Sequence, residues 1–240
     1  MNKTDTTIII SINVHEKVNF LLKQIENIQK YVLLDYYIIL NCNDYMYNEL
    51  KNIELPSNVI INNDIINKER FTGTLIQGIY SNINYAITHY NFNYFIILSS
   101  RNLFYNILCV DNLDRLKIAP NIINDTLYNE WHWQTFFNTE LGKYYIKNGY
   151  KLYGSCHEGL VFHYNVCQNI FMFLEKHTHI KNNLFTFPFC VEEFALQTIS
   201  MNEVNDENLY NGFGCINESV ETINPVPTDQ NWLVYKTDRN

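Results

Sequence analysis

The apolar positions of the first hundred residues fall into two alternating kinds of run. Residues 6–12, 36–40, 59–61 and 94–98 are near-continuous apolar stretches, the pattern of short strands covered on both faces. Between them, residues 16–31 place Val18, Leu21, Leu22, Ile25 and Ile28 at helical spacing. Residues 74–90 repeat that spacing with Leu75, Ile76, Ile79, Ile83, Ala86 and Ile87. Strand, helix, strand, strand, helix, strand predicts a mainly parallel sheet with right-handed crossovers. Ligands of such sheets bind at the carboxyl ends of the strands, where the strand order reverses. Three polar segments directly follow apolar strands and are singled out by that rule: Asn13-Val14-His15-Glu16, Asn41-Cys42-Asn43-Asp44 and Ser99-Ser100-Arg101-Asn102.

The second half is less regular. Residues 130–148 predict a helix bearing Trp131, Trp133, Phe136, Phe137, Leu141 and Tyr145. Residues 159–164 predict a strand, and residues 165–177 a helix with Val166, Ile170, Phe173 and Leu174 inward. A last helix is expected over 192–201, after Pro188, and the tail with Gly212, Gly214, Pro225 and Pro227 reads as irregular. No repeat and no linker divides the chain, and 240 residues suit one domain with a sizeable core. The expected architecture is one α/β domain over 1–240, a Rossmann-like, mainly parallel sheet flanked by helices.

Composition narrows the function classes. The formal charge of −8 argues against general nucleic-acid binding, which needs a basic face, but leaves room for a local basic pocket. No apolar run is long enough for a membrane span, and the polar start followed by a five-residue apolar stretch does not make a signal segment. The six cysteines (Cys42, Cys109, Cys156, Cys167, Cys190, Cys215) lie far apart with no C-x-x-C pair, which favours reduced thiols in a cytoplasm over disulfides or zinc. His132, His157, His163, His177 and His179 show no ligand spacing, so no metal site is expected.

Four passages, in order, resemble the core-2/I-branching β-1,6-N-acetylglucosaminyltransferases and their bacterial and viral relatives. Ile8-Ile9-Ile10-Ser11-Ile12-Asn13-Val14-His15 is similar to that family's first strand, which ends in Val-His. The stretch Thr74-Leu75-Ile76-Gln77-Gly78 through Tyr94-Phe95-Ile96-Ile97-Leu98-Ser99-Ser100 resembles its helix and a strand ending Leu-Ser-Gly. Tyr153-Gly154-Ser155-Cys156-His157-Glu158-Gly159-Leu160 resembles its Gly-Ser-Gln-Trp segment. Val191-Glu192-Glu193-Phe194-Ala195-Leu196-Gln197-Thr198 resembles the Pro-Asp-Glu-His-x-x-x-Thr segment that carries the catalytic base. Asn102, Cys156-His157 and Phe194 depart from the family's Asp, Gln-Trp and His. The resemblance, over residues 6–200, implies a GT-A fold, with a nucleotide-sugar-binding half (1–105) and an acceptor and catalytic half (106–240). It implies inverting, metal-independent transfer from a nucleotide sugar, such as UDP-linked N-acetylglucosamine, to a carbohydrate hydroxyl, in the cytoplasm of a bacterium or virus-infected cell.

Inverting transfer needs one carboxylate to take the acceptor's proton. The resemblance puts Glu193 in that role, with Glu192 beside it near the acceptor; first-turn acids of a helix are the competing reading of both. The leaving diphosphate must be stabilised by a metal or by basic side chains. The segment after the middle strand, Ser99–Ser100–Arg101–Asn102, has no carboxylate and one Arg, so no metal cofactor is expected. Four arginines exist in the chain, and Arg70 and Arg101 fall near strand ends, with Lys236 and Arg239 a looser C-terminal pair. Each of these is otherwise a solvated surface charge. By resemblance His15 sits at the nucleotide end of the first strand, with Val14 against the base, and the strand-end rule adds Asn43 and Ser100 to the donor contacts; His15 also suits a helix cap. Trp131, Trp133, His157 and Glu158 are candidate acceptor contacts, since aromatic faces stack on sugars, although helix packing explains Trp133 equally. Two rivals stay open: a catalytically silent glycan-binding or glycan-assembly protein, and a metal-dependent transferase using Asp44 or Asp64.

Overall fold

The period-two alternation along β1 (Thr7–Val14) decides which helix covers which face of the sheet. The computed structural model describes residues 6–15, 17–113, 121–123, 133–203, 210–212, 214–216 and 232–237. After β1 come α1 (Val18–Tyr31), β2 (Asp35–Cys42), α2 (Asp44–Leu50), β3 (Val59–Asn62), α3 (Thr74–His89), β4 (Tyr94–Ser99) and β5 (Asn102–Phe104). There follow α4 (Val110–Leu113), β6 (Asn121–Ile123), α5 (Trp133–Phe137), α6 (Glu140–Lys147), β7 (Leu152–Gly154), β8 (Leu160–His163) and α7 (Tyr164–Lys176). The chain continues through α8 (Thr178–Thr186), α9 (Ala195–Glu203), β9 (Tyr210–Gly212), β10 (Gly214–Ile216) and β11 (Trp232–Lys236).

The central sheet has six strands in the order β3-β2-β1-β4-β8-β9. The first four are mutually parallel; Ile10 lies opposite Ile38 on one side and Ile96 on the other. β8 runs antiparallel to β4, with Phe95 opposite Phe162, and β9 antiparallel to β8. Because successive side chains alternate, Ile8, Ile10, Ile12 and Val14 pack with Leu21, Ile25 and Ile28 of α1 in one core. Ile9 packs with Ile76, Ile79, Ile83 and Ala86 of α3 in the other. Each fully buried Ile or Leu of these layers stabilises the fold by roughly 1.5–3 kcal/mol.

Ser11 and Asn13 share the α3 face with Ile9, and neutral hydrogen bonds accommodate them there. Asn82 of α3 donates to Ser11 Oγ at 3.0 Å and to the Ile39 carbonyl at 3.1 Å. Asn62 donates to Ser81 Oγ and to Asn82 Oδ1. Asn13 donates to the Leu75 carbonyl at 2.8 Å.

The second half departs from the pattern expected of it. The described part of the helix expected over 130–148, from residue 133 on, is two helices, because Thr139 caps α6 by accepting from Gly142 N at 2.9 Å while its hydroxyl donates to the Phe136 carbonyl. The last helix begins at Ala195, so Glu192 and Glu193 lie in the turn that enters it. The tail is not irregular throughout: β9 extends the central sheet, and β11 pairs with β10 and, antiparallel, with β5. α2 and α8 were not foreseen either. No helix among the described residues is long and apolar enough to cross a membrane.

Candidate functional site

The chain runs from β1 outward to β2 and β3, then returns through α3 to β4 on the other side of β1. The order therefore reverses between β1 and β4, and a crevice outside their carboxyl ends follows from that geometry. A cavity of about 540 Å³ lies there, lined from β1 and α3 by Asn13, His15, Leu75 and Ile79, and from β4 and its turn by Ile97 to Arg101.

One wall is fixed by neutral groups. Asn102 is fully buried and accepts from Ser99 N at 2.7 Å, while Gln24 of α1 donates to the carbonyls of Ser99 and Asn102. These bonds hold the β4–β5 turn, in which the buried hydroxyl oxygens of Ser99 and Ser100 have no hydrogen-bond partner among the described residues. Asn13 Oδ1 likewise has no partner among them. Behind Asn13, Lys68 donates to the carbonyls of Asn41 and Ile66, and burial pulls its ammonium down to about 7 against the pull of Cys42 and Asp64.

The opposite wall is built of ionisable groups. Gly159 adopts φ +90°, a conformation L side chains resist, and donates to the Ile97 carbonyl, which tucks Glu158 inward. Glu158 is 3% exposed and pairs with Lys236 of β11 while accepting from Cys156 Sγ at 2.8 Å. Burial alone would raise its carboxyl; His157, Lys236 and the hydrogen bonds from Cys156 and Lys236 outweigh it and hold it at about 2. Lys236 is placed by the clasp between β11 and the β4–β5 turn: Thr237 N and Oγ1 donate to the Arg101 carbonyl, and Arg101 donates to the Thr237 carbonyl.

Glu192 and Glu193 reach the same cavity from the turn before α9. That turn is stitched to β7: Ser155 N donates to the Glu193 carbonyl, Gln197 to the Ser155 carbonyl, and Thr198 exchanges bonds with both Tyr153 N and its carbonyl. Glu192 is 3% exposed, and its Oε2 has no hydrogen-bond partner among the described residues. Burial pushes its carboxyl up to about 7, with His157 opposing and Glu193 and Glu158 adding to the rise.

Neither a protein-family model nor a curated protein matches this chain. The site's meaning therefore rests on its own geometry. The cavity brings together His15, Arg70, Ser100, Arg101, His157, Glu158, Glu192, Glu193 and Lys236. It does not take in Val14, which falls on the α1 face of β1 and is sealed in the core there, one residue out of phase with Asn13. Nor does it take in Asn43, which caps α2 by accepting from Met46 N at 2.9 Å. Asp44 pairs with Asn67 away from the cavity lining, and Asp64 is exposed. Trp131 and Arg239 lie outside the described residues, as does the side chain of Trp133. Missed by sequence reasoning were Asn13, Phe71 and Lys68; the strand-end rule had pointed at the first.

Proposed function

We propose that the chain is an inverting glycosyltransferase of the GT-A type that moves a sugar from a nucleoside diphosphate, such as UDP-linked N-acetylglucosamine, to a carbohydrate hydroxyl. The observation that carries this reading is the meeting, in the lining of one cavity, of Arg101 after β4 and Arg70 in the loop before α3 with two carboxylates at the entry to α9. Its volume suits a ligand of nucleotide-sugar size. The α/β sheet with its order reversal beside β1 supports a donor seated at the carboxyl ends of β1 and β4.

In the proposed reaction the acceptor oxygen attacks the anomeric carbon as the bond to the diphosphate oxygen breaks. The electron pair leaves with the diphosphate, whose growing charge faces Arg70 and Arg101. The acceptor's proton passes to a carboxylate of the Glu192–Glu193 pair, Glu193 by resemblance. Glu158 is held ionised by Lys236 and keeps that wall polar without taking part in proton transfer. No metal is assigned a role.

Glu193→Gln should lower turnover by about a hundredfold to ten-thousandfold, the usual worth of a general base, with donor affinity little changed. Glu192→Gln provides the comparison. Small, equal losses from both in folded protein would favour a silent glycan-binding protein, and a collapse of nucleotide affinity on adding EDTA would restore the metal-dependent alternative.

A further inference from the structure

We infer that Phe71 is the stacking surface for the nucleobase of the cavity's ligand, a role that rests on the nucleotide-sugar reading above. Phe71 is the one described residue other than glycine with a positive φ, +61°, which bulky side chains adopt only where the surroundings impose it. It is 50% exposed and lines the mouth of the cavity. A large apolar side chain held both strained and half in water gains nothing for the core, so the conformation serves what the ring faces.

The loop around it is fixed on both sides. Ile66 N donates to the Cys42 carbonyl, and Lys68 ties the loop to the end of β2. Glu69 N donates to Thr74 Oγ1, and the Thr72 hydroxyl donates to the Glu69 carbonyl. Gly73 N donates to the Phe187 carbonyl, and a Cβ on Gly73 would stand 1.8 Å from the Leu184 carbonyl oxygen, so the loop is pressed against the end of α8. These anchors flank Phe71 and hold the backbone on either side of it.

The chemistry of the ligand follows from the neighbours. The Arg70 guanidinium carbon lies 4.4 Å from the Phe71 ring centroid, covering one face. A guanidinium stacked by its face keeps its N–H edges for a phosphate. The open ring beside such a cation fits a molecule that carries a flat ring and a phosphate, which is a nucleotide. Val14, the expected apolar partner of the base, is sealed in the core, and Phe194, the other phenyl ring in the described lining, is 1% exposed and stacked on Phe136 at 5.3 Å.

The test is calorimetric titration of UDP, uridine, ribose 5-phosphate and N-acetylglucosamine into the parent protein, Phe71→Gly and Phe71→Trp. Glycine accepts φ +61° without strain, so Phe71→Gly should melt at or above the parent temperature. It should nonetheless bind UDP and uridine more weakly by about 5- to 100-fold, the worth of one base–aromatic stack. Ribose 5-phosphate, which lacks the base, should bind both alike, and Phe71→Trp should retain UDP affinity. UDP affinity within about twofold of the parent in a folded Phe71→Gly protein overturns the assignment and leaves the nucleotide-sugar reading standing. A loss confined to N-acetylglucosamine overturns the nucleobase in favour of a sugar. A parent protein that binds neither UDP nor uridine sinks the nucleotide-sugar reading and this assignment with it.

Discussion

The two walls of the cavity solve the burial of polar atoms in opposite ways. The wall from β1, α3 and the β4–β5 turn uses amides and a hydroxyl: Asn13, Gln24, Asn82, Asn102 and Ser11 in neutral hydrogen bonds. The wall from the β7–β8 loop, the turn before α9 and β11 uses charge: Glu158 with Lys236, and Glu192 near His157. Perturbed ionisable groups of the first region, Lys68 and Cys42, lie behind the lining. The first wall is thus a fixed mould, whereas the second changes its protonation, and so its chemistry, within the pH range of life. That division suits a site where one side holds a ligand and the other handles a proton.

The comparison breaks most sharply at Lys236. Removing one partner of a buried ion pair leaves the other charge unpaired, so Lys236→Met should destabilise the protein by about 3–5 kcal/mol, read by denaturant unfolding at pH 7. The double variant Lys236→Met/Glu158→Gln should recover part of that loss. Because the Glu158 carboxyl is depressed to about 2 from 4.5, the stability it contributes is present above pH 4.5 and lost as pH falls toward 2. The difference between the parent and Glu158→Gln should shrink over that window.

Glu192 acts in the reverse sense. Its carboxyl is raised from 4.5 to about 7, so the folded state loses stability as pH rises through that window and carries the full penalty above it. Glu192→Gln should therefore be more stable than the parent at pH 8, by up to about 3 kcal/mol, and indistinguishable from it at pH 4. A gain that is equal at both values would mean that the carboxyl titrates normally. Gly73→Ala, which drives a Cβ into the Leu184 carbonyl, should cost about 1–3 kcal/mol at every pH and loosen the loop carrying Arg70 and Phe71. Of similar size and also independent of pH, Asn82→Ala should cost about 1–3 kcal/mol by removing the donor to Ser11 and the Ile39 carbonyl, and it sharpens the contrast as the neutral control.

The same division explains what could be read from the sequence. Strands covered on both faces write long apolar runs, and α1 and α3 write their stripes, so β1 to β4 and the crevice beside β1 were legible from residues 6–101. The phase of the strand decides which residue faces the cavity: counting alternate residues from Ile9 places Asn13, not Val14, on that face. The second half is held by contacts remote in sequence. Nothing local in Trp232–Lys236 announces a partner in Asn102–Phe104, and strands of three residues such as β9 are too short to show a period. Thr139 after Asn138 was a legible cap that the aromatic run of 131–145 obscured. Glu192 and Glu193 were found together, but only burial separates them: Glu192 is sealed and Glu193 is half-exposed at most.

The clasp between β11 and the β4–β5 turn also sets the order in which the protein can be made. Residues 232–237 are the last of the described chain to leave the ribosome, and until they arrive Glu158 has no Lys236 and the Arg101 carbonyl no Thr237. A nascent chain can pair β1 to β4 and even lay down β8 while its charged wall stays uncompensated and open to water. Completion of the cavity is thereby tied to the synthesis of β11, so a chain made only as far as β10 would carry the neutral wall without the cation that compensates Glu158.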